Sequence, residues 1–222
     1  MKQKLLLISA FLLIVWCSAG QVADRLGVSL GTSYASQKWQ YRNISNDMEH
    51  EYKVGLQAFV FAEKDLAEMM SLLTGLGYIQ KGFKDEFVFT FPDASVADVR
   101  NDKVVLHNLA LDLGVKIRPF SSTHLPYLLL GGRADYLLSY KDAVIVEPES
   151  GIKINVYEPA LEKFNKFNVS ALVGLGIEFN DFLFFELEYN PGLTRNFKSE
   201  GLTVRDQCWG AKLGVYLNRW VD

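Results

Sequence analysis

The feature that most constrains this fold is a strict alternation of apolar and polar residues between Phe164 and Leu193. A period of two places the apolar set on one face of a β-strand and the polar set on the other. The alternating runs 169–179 and 183–190 are joined by Asn180 and Asp181, which favour tight turns. The stretch therefore predicts a β-hairpin with one apolar face and one face of carboxylates and glycines.

The rest of the chain repeats this pattern in six further runs: Leu26–Ser36, Tyr52–Ala62, Met70–Gly82, Lys103–Arg118, His124–Tyr140 and Asp206–Arg219. With the two runs of the hairpin, the chain has eight. The connections alternate between long and short, as in outer-membrane barrels. The runs span about the 9–11 residues that a tilted strand needs to cross the hydrocarbon layer, or more. We therefore predict an all-β fold, an eight-stranded antiparallel up-and-down transmembrane β-barrel.

Whether the apolar face points outward or inward depends on whether the barrel lies in lipid or in water. In lipid, the apolar parity points outward and the polar parity points inward. The apolar parity is almost free of charge, and it carries aromatic residues near the ends of runs, where membrane interfaces lie: Tyr34, Tyr52, Tyr78, Tyr136, Tyr140, Tyr189 and Trp209. An alternative is a soluble periplasmic, lipocalin-like barrel that binds a small apolar ligand and exposes its charges to water.

Eight charged residues share the inward parity: Asp112, Lys116, Arg133, Asp135, Glu178, Glu186, Glu188 and Lys212. Side chains fill the interior of an eight-stranded barrel, so no wide pore is expected and buried charges must be paired. Neighbouring strands bring Glu186 and Glu188 within reach of Lys212. Arg133 and Asp135 are expected to engage Asp112 and Lys116. We interpret the set as a structural ion-pair network, with a proton or ion path as the alternative.

The first twenty residues predict a secretory signal peptide that is cleaved near Gly20, which leaves residues 21–222 as one barrel domain. Lys2 and Lys4 precede an apolar run that ends in small residues. Cleavage removes two lysines and no acid, so the formal charge moves from −3 to −5, which argues against a nucleic-acid partner. Cys208 would then be the only cysteine, and an intramolecular disulfide is excluded.

No pattern for catalysis, metal binding or cofactor binding stands out. His50, His107 and His124 are far apart in sequence and show no Ser-His-Asp spacing. There is no Cys/His cluster and no phosphate-binding glycine loop. We expect no enzyme activity and no cofactor, although a lipid-modifying enzyme of the outer membrane is a third alternative. The alternating aromatics of 87–91 predict either a strand extension or a contact surface.

Three segments resemble a known family. LLTGLGYIQKG, HLPYLLLGGRADYLL and VSALVGLGIEFNDFLFFELEYNPGLT are similar to the PorT-like outer-membrane β-barrel family of Bacteroidetes. One departure is Gly75, where family members commonly carry a glutamate. The resemblance implies an eight-stranded barrel in the cell outer membrane, in contact with outer-membrane lipid and lipopolysaccharide. It also implies a possible partner in the secretion machinery or at the cell surface, because the namesake supports type IX secretion.

Overall fold

The computed structural model describes residues 23–41, 48–85, 98–119, 124–147, 150–179, 182–198 and 201–217. The predicted signal peptide with Cys17, the predicted turn at Asn180 and Asp181 and the aromatic stretch 87–91 lie outside these residues. Eight long strands form the described framework: β1 Arg25–Tyr41, β2 Lys53–Ala67, β3 Met70–Lys84, β4 Lys103–Ile117, β5 His124–Lys141, β6 Phe167–Phe179, β7 Leu183–Pro191 and β8 Leu202–Tyr216.

The eight strands close into a barrel. Each strand pairs antiparallel with its sequence neighbours, and β1 pairs with β8 from Gly27–Tyr216 to Tyr41–Leu202. Closure gives every strand two hydrogen-bonded neighbours, which is the requirement for crossing lipid with strands. The predicted eight-stranded antiparallel barrel is confirmed. Among the described residues, no helix is long and apolar enough to cross a membrane.

Short and long connections lie at opposite ends of the barrel. Glu68 and Met69 form the tight turn between β2 and β3, and the links 118–123 and 180–182 are also short. At the other end, which we call the long-loop end, the links are 42–52, 85–102, 142–166 and 192–201. The second predicted run stopped too early, because β2 continues to Ala67 and keeps pairing with β3 through Glu63 and Asp65.

A bulge in β5 reverses the side-chain directions that the alternation predicted for the end of this strand. The pairing of β4 with β5 shifts between His107 and Asn108, so that Leu137 opposes Asn108 and Ser139 opposes His107. The extra residue reverses the parity beyond this point. Tyr140, which the alternation placed on the lipid face, packs against the buried cluster at the long-loop end, and Ser139, which has the inward parity of Arg133 and Asp135 in the sequence, is exposed.

The outer surface of the barrel is apolar. Leu30, Val54 and Leu175 are each about two-thirds exposed, far more apolar surface than water-soluble monomers present in one patch. Aromatic side chains gather toward the long-loop end, where Tyr34 stacks on Tyr52 at 4.6 Å between ring centroids and Tyr189 lies 4.3 Å from Trp209. The apolar parity therefore faces lipid, and this placement overturns the lipocalin-like alternative.

The long-loop end carries further structure. Three short strands, Asp98–Asn101, Val144–Val146 and Lys153–Asn155, form a separate sheet, with Val144–Val146 in the centre. A one-turn helix, α1 (Glu158–Leu161), follows. Residues 142–166, which we call the plug segment, contain two of these strands and the helix.

Closure of the barrel depends on a close approach at Gly31. A Cβ on Gly31 would lie 2.0 Å from the backbone oxygen of Ala211 on β8 and 2.8 Å from the Cα of Lys212. Neither atom belongs to a flexible side chain, so β1 and β8 would have to separate. We predict that Gly31→Ala lowers the fraction of heat-modifiable, folded barrel on unboiled gels. Gly201→Ala is the control, because a Cβ there meets nothing within 4 Å; equal folding of both variants would contradict this reading of the closure.

Candidate functional site: a charged lumen under a plug

The lumen receives all eight charged residues of the inward parity. Asp112, Lys116, Arg133, Asp135, Glu178, Glu186, Glu188 and Lys212 are between 0% and 5% exposed. Each comes from a position where the strand alternation turns it away from lipid. Burial of this many charges is tolerated only where each one has an opposite charge or a hydrogen-bond partner.

Arg133 is the centre of an upper charge cluster, formed by Asp112, Arg133, Glu186, Glu188 and Lys212. Its guanidinium donates to both oxygens of Asp112, at 2.6 and 2.8 Å, and to Glu188 Oε1 at 3.1 Å. Lys212 Nζ lies 2.8 Å from Glu186 Oε1 and 2.8 Å from Glu188 Oε2. The bidentate Arg–carboxylate geometry fixes β4 against β5, and Lys212 ties β7 to β8.

A lower charge cluster lies toward the short-turn end and includes residues that the sequence interpretation left out. Lys116 pairs with Glu63 and with Glu178 Oε1, the latter at 3.3 Å. Arg118 donates to Glu63 at 2.7 Å and to Glu178 at 2.8 Å. Tyr216 donates to Glu178 at 2.6 Å, and Arg25 approaches the same carboxylates.

The expected contact between Asp135 and Lys116 is wrong. Asp135 pairs instead with Lys81 Nζ at 2.6 Å. Asp135 opposes Ala110 on β4, and Lys116 lies about 20 Å further along that strand at roughly 3.3 Å per residue. The register of the two strands therefore assigns these charges to different levels of the lumen.

Two signals could have identified the missed partners. Glu63 has the parity of Phe59 and Phe61, so extending the second run by one inward position adds it to the lumen. Arg118 also has the inward parity of β4 and was visible at the end of its run. Its pairing with Glu178 could not be read from adjacency, because β4 and β6 are separated by β5.

A group of buried apolar and aromatic residues, which we call the septum, packs among the two charge clusters. It consists of buried residues from six strands: Phe61, Leu73, Tyr127, Leu129, Leu172, Phe184 and Tyr216. Lys116 Nζ lies 4.2 Å from the centre of the Tyr127 ring, and the Phe59 ring lies 4.8 Å from the Arg133 guanidinium. The inward parity is therefore not simply polar, since aromatic faces both fill the lumen and contact its cations.

The plug segment closes the long-loop end. Ala143, Leu161 and Phe164 from this segment are buried against strand residues Trp39, Phe83, Val104, Leu106, Leu137 and Val204. Asp142 anchors the segment by accepting hydrogen bonds from the backbone N–H of Ala143 and Tyr157.

His50 lies inside the aromatic part of this closure. Its ring stacks on Phe83 at 4.2 Å and lies 5.1 Å from Trp39. Nδ1 faces Asp85 at 3.4 Å, and Tyr157 donates to the same carboxylate. Burial lowers the pKa of His50 below its ordinary value, although Asp85 acts in the opposite direction. In the described ranges, no group of three or more His, Cys, Asp or Glu is arranged to hold a metal ion.

A family comparison identifies the fold. The pattern of the family "Outer membrane protein beta-barrel domain" matches residues 21–198, which is most of the chain. The chain belongs to this family. It is therefore an outer-membrane β-barrel protein, and by the general architecture of such barrels its long-loop end faces the outside of the cell.

Three solved structures of outer-membrane proteins are similar to this chain. The attachment invasion locus protein Ail of Yersinia pestis is 13% identical, covers 87% of this chain and 99% of its own, and has a TM-score of 0.35. Neisserial surface protein A is 13% identical over 86% and 97%, with a TM-score of 0.42. The outer-membrane protease OmpT of Escherichia coli is 10% identical over 88% and 97%, with a TM-score of 0.42. No curated protein matches this outer-membrane barrel.

Removal of Lys212 tests the upper charge cluster. We predict that Lys212→Ala lowers the stability of the barrel in detergent by about 3–5 kcal/mol, because it leaves Glu186 and Glu188 buried with less positive charge. Thermal unfolding measures the change. Lys64→Ala is the control, since Lys64 forms an exposed pair with Asp24. An unchanged melting temperature of Lys212→Ala would show that the upper charge cluster does not stabilise the barrel.

Acidification tests the packing around His50. Its pKa is lowered in the folded state, so neutral His50 favours the folded plug above the ordinary value of 6.5, and this contribution is lost as the pH falls below it. We predict a change in Trp39 fluorescence between about pH 7 and about pH 5, measured with Trp209 and Trp220 replaced by Phe. His50→Phe should abolish the change; persistence of the same transition would assign it to another group.

Proposed function

We propose that this protein is a non-conducting, non-catalytic outer-membrane barrel that displays the structure at its long-loop end to a binding partner. The observation that carries the proposal is the contrast between the two parts of the molecule. The lumen holds two clusters of paired charges, the septum and the plug, whereas the plug segment supplies two of the three strands of an ordered sheet at the long-loop end.

The filled lumen supports a non-conducting role. A permeating ion would have to pass the paired charges of both clusters, the apolar septum and the plug. The septum residues Leu129, Leu172 and Tyr216 and the plug residue Leu161 are at most 2% exposed. Hydrophobic constrictions of this kind block conduction by excluding water.

The small sheet supports a binding role. Its central strand is anchored by Ile145, which is 1% exposed, while Val99, Ile152 and Ile154 in or beside the outer strands are 38–57% exposed. An ordered scaffold with exposed apolar side chains is typical of a surface for protein contacts. The partner we propose is a cell-surface or secretion-machinery protein, within an outer membrane of lipid and lipopolysaccharide. A PorT-like accessory role in secretion is the most specific form of this proposal.

The arrangement of His50 supports a role without catalysis. Its Nδ1 faces Asp85, but Nε2 is buried and has no hydrogen-bond partner among the described residues. Nucleophilic catalysis needs a hydroxyl or thiol within hydrogen-bond reach of such a base. We expect unchanged lipid A in a deletion strain, in contrast to what a lipid-modifying enzyme would produce.

Conductance of a planar bilayer tests the closed lumen. We predict that the purified, refolded protein produces no stable single-channel steps in a membrane where a large water-filled porin conducts. Reproducible steps from this protein, absent when the same preparation is heat-unfolded, would contradict the proposal.

Disruption of the small sheet tests the displayed surface. Ile145→Asp buries an unpaired charge in the central strand of that sheet, outside the closed barrel. We predict that a deletion strain carrying Ile145→Asp keeps a heat-modifiable barrel but fails to recover surface adhesion, envelope resistance or type IX cargo secretion, whichever the deletion impairs. Leu193→Asp is the control, because Leu193 is exposed and outside the small sheet. Full recovery by Ile145→Asp would show that the sheet is dispensable.

A further inference from the structure

Between the plug and the upper charge cluster, four buried side chains carry polar atoms without partners in the described structure. These atoms are Gln57 Oε1, Asp135 Oδ1, Ser170 Oγ, and both Oδ1 and Nδ2 of Asn190. Gln57 and Asn190 are fully buried, and Ser170 and Asp135 are at most 3% exposed. Buried polar atoms are almost always hydrogen-bonded, to protein or to ordered water.

The strand register brings these atoms to one part of the lumen. Ser170 on β6 opposes Arg133 on β5, two residues from Asp135. Asn190 on β7 opposes Cys208 on β8. The side chain of Gln57 extends from β2 to β8. A Cβ added at Gly210 of β8 would lie 2.6 Å from Gln57 Nε2. The unpartnered atoms therefore line a common level that spans β5 to β8, with Gln57 closing it from β2.

The chemistry of the atoms selects the ligand. The carboxylate oxygen and the amide oxygens accept hydrogen bonds, the Asn190 amide donates, and the Ser170 hydroxyl does both. A metal ion would leave the Asn190 N–H groups unsatisfied, and an anion, which only accepts hydrogen bonds, would leave Gln57 Oε1 and Asp135 Oδ1 unsatisfied. Water both donates and accepts. Lys81 lies at the same level, and only one of its three N–H groups is used by Asp135.

We propose that this level of the lumen binds a cluster of ordered water molecules held by Gln57, Asp135, Ser170 and Asn190. The plug separates the cluster from the outside of the cell, and the septum separates it from the short-turn end. A cavity of about 20 Å³ lies below it, lined by Asp112, Glu186, Lys116 and Lys212. This volume is enough for one further water, which would link the two charge clusters. The barrel is hydrated in its upper half, yet closed.

Cys208 reports on this water directly. It is fully buried, opposes Asn190, and carries the sulfur that hydroxyl radicals oxidise fastest. Millisecond radiolysis of the barrel in detergent generates radicals from bound water as well as from bulk solvent. We expect oxidation of Cys208 despite its burial. The matched control is Leu129→Cys in a Cys208→Ala background, which places a buried sulfur in the septum and is expected to remain unmodified. Equal protection of both sulfurs would overturn the proposal.

A pair of serine substitutions gives a second, independent result. Ser33 is fully buried and donates to the backbone oxygen of Gln80, so Ser33→Ala removes a satisfied hydroxyl and should lower the melting temperature. If water occupies this level of the lumen, Ser170→Ala also removes a satisfied hydroxyl and lowers the melting temperature. If this level is dry, Ser170→Ala removes an unsatisfied group and leaves the melting temperature unchanged or raises it. That result would contradict the proposal.

Discussion

The requirement that every backbone group be hydrogen-bonded inside lipid determines most of this structure. A sheet meets this requirement only when its first and last strands pair, as β1 and β8 do from Gly27 to Tyr41. Once the ladder is closed, the period of two leaves each side chain only two directions, toward acyl chains or toward the lumen. The apolar parity faces lipid, and the lumen must accommodate everything else.

The inward side chains are grouped by type along the lumen. The lower charge cluster lies toward the short turns, the upper charge cluster lies above it and the plug lies at the long-loop end, with the septum residues packed among the charges. Charges are buried where arginine and lysine can contact two carboxylates at once, as Arg133 and Lys212 do. Aromatic rings pack among the charges and contact a cation of each cluster, Tyr127 against Lys116 and Phe59 against Arg133. This filling explains why the binding role we propose rests on the surface beyond the barrel wall.

Much of the framework could be predicted from the sequence, because alternation is a local signal that each strand carries by itself. The run lengths, the long and short connections and the inward parity of residues such as Arg133 and Glu188 all follow from it. The bulge that turns Tyr140 inward could not be predicted, since one extra residue in β5 leaves no mark on composition. The pairing of Lys116 with Glu178 was equally hidden, because it crosses the lumen between strands that are not neighbours.

One side-chain parity faces lipid while the other is packed inside the barrel, and the rest of the structure depends on this arrangement. Spin labels attached along β4 of the protein in lipid bilayers test it, by comparing collisions with oxygen, which concentrates in the membrane, and with a water-soluble nickel complex. Leu109, Leu111, Leu113 and Val115 should show high oxygen accessibility, and Ala110 and Gly114 should be shielded from both reagents. High nickel accessibility at the leucine positions, or loss of the two-residue period, would contradict the account.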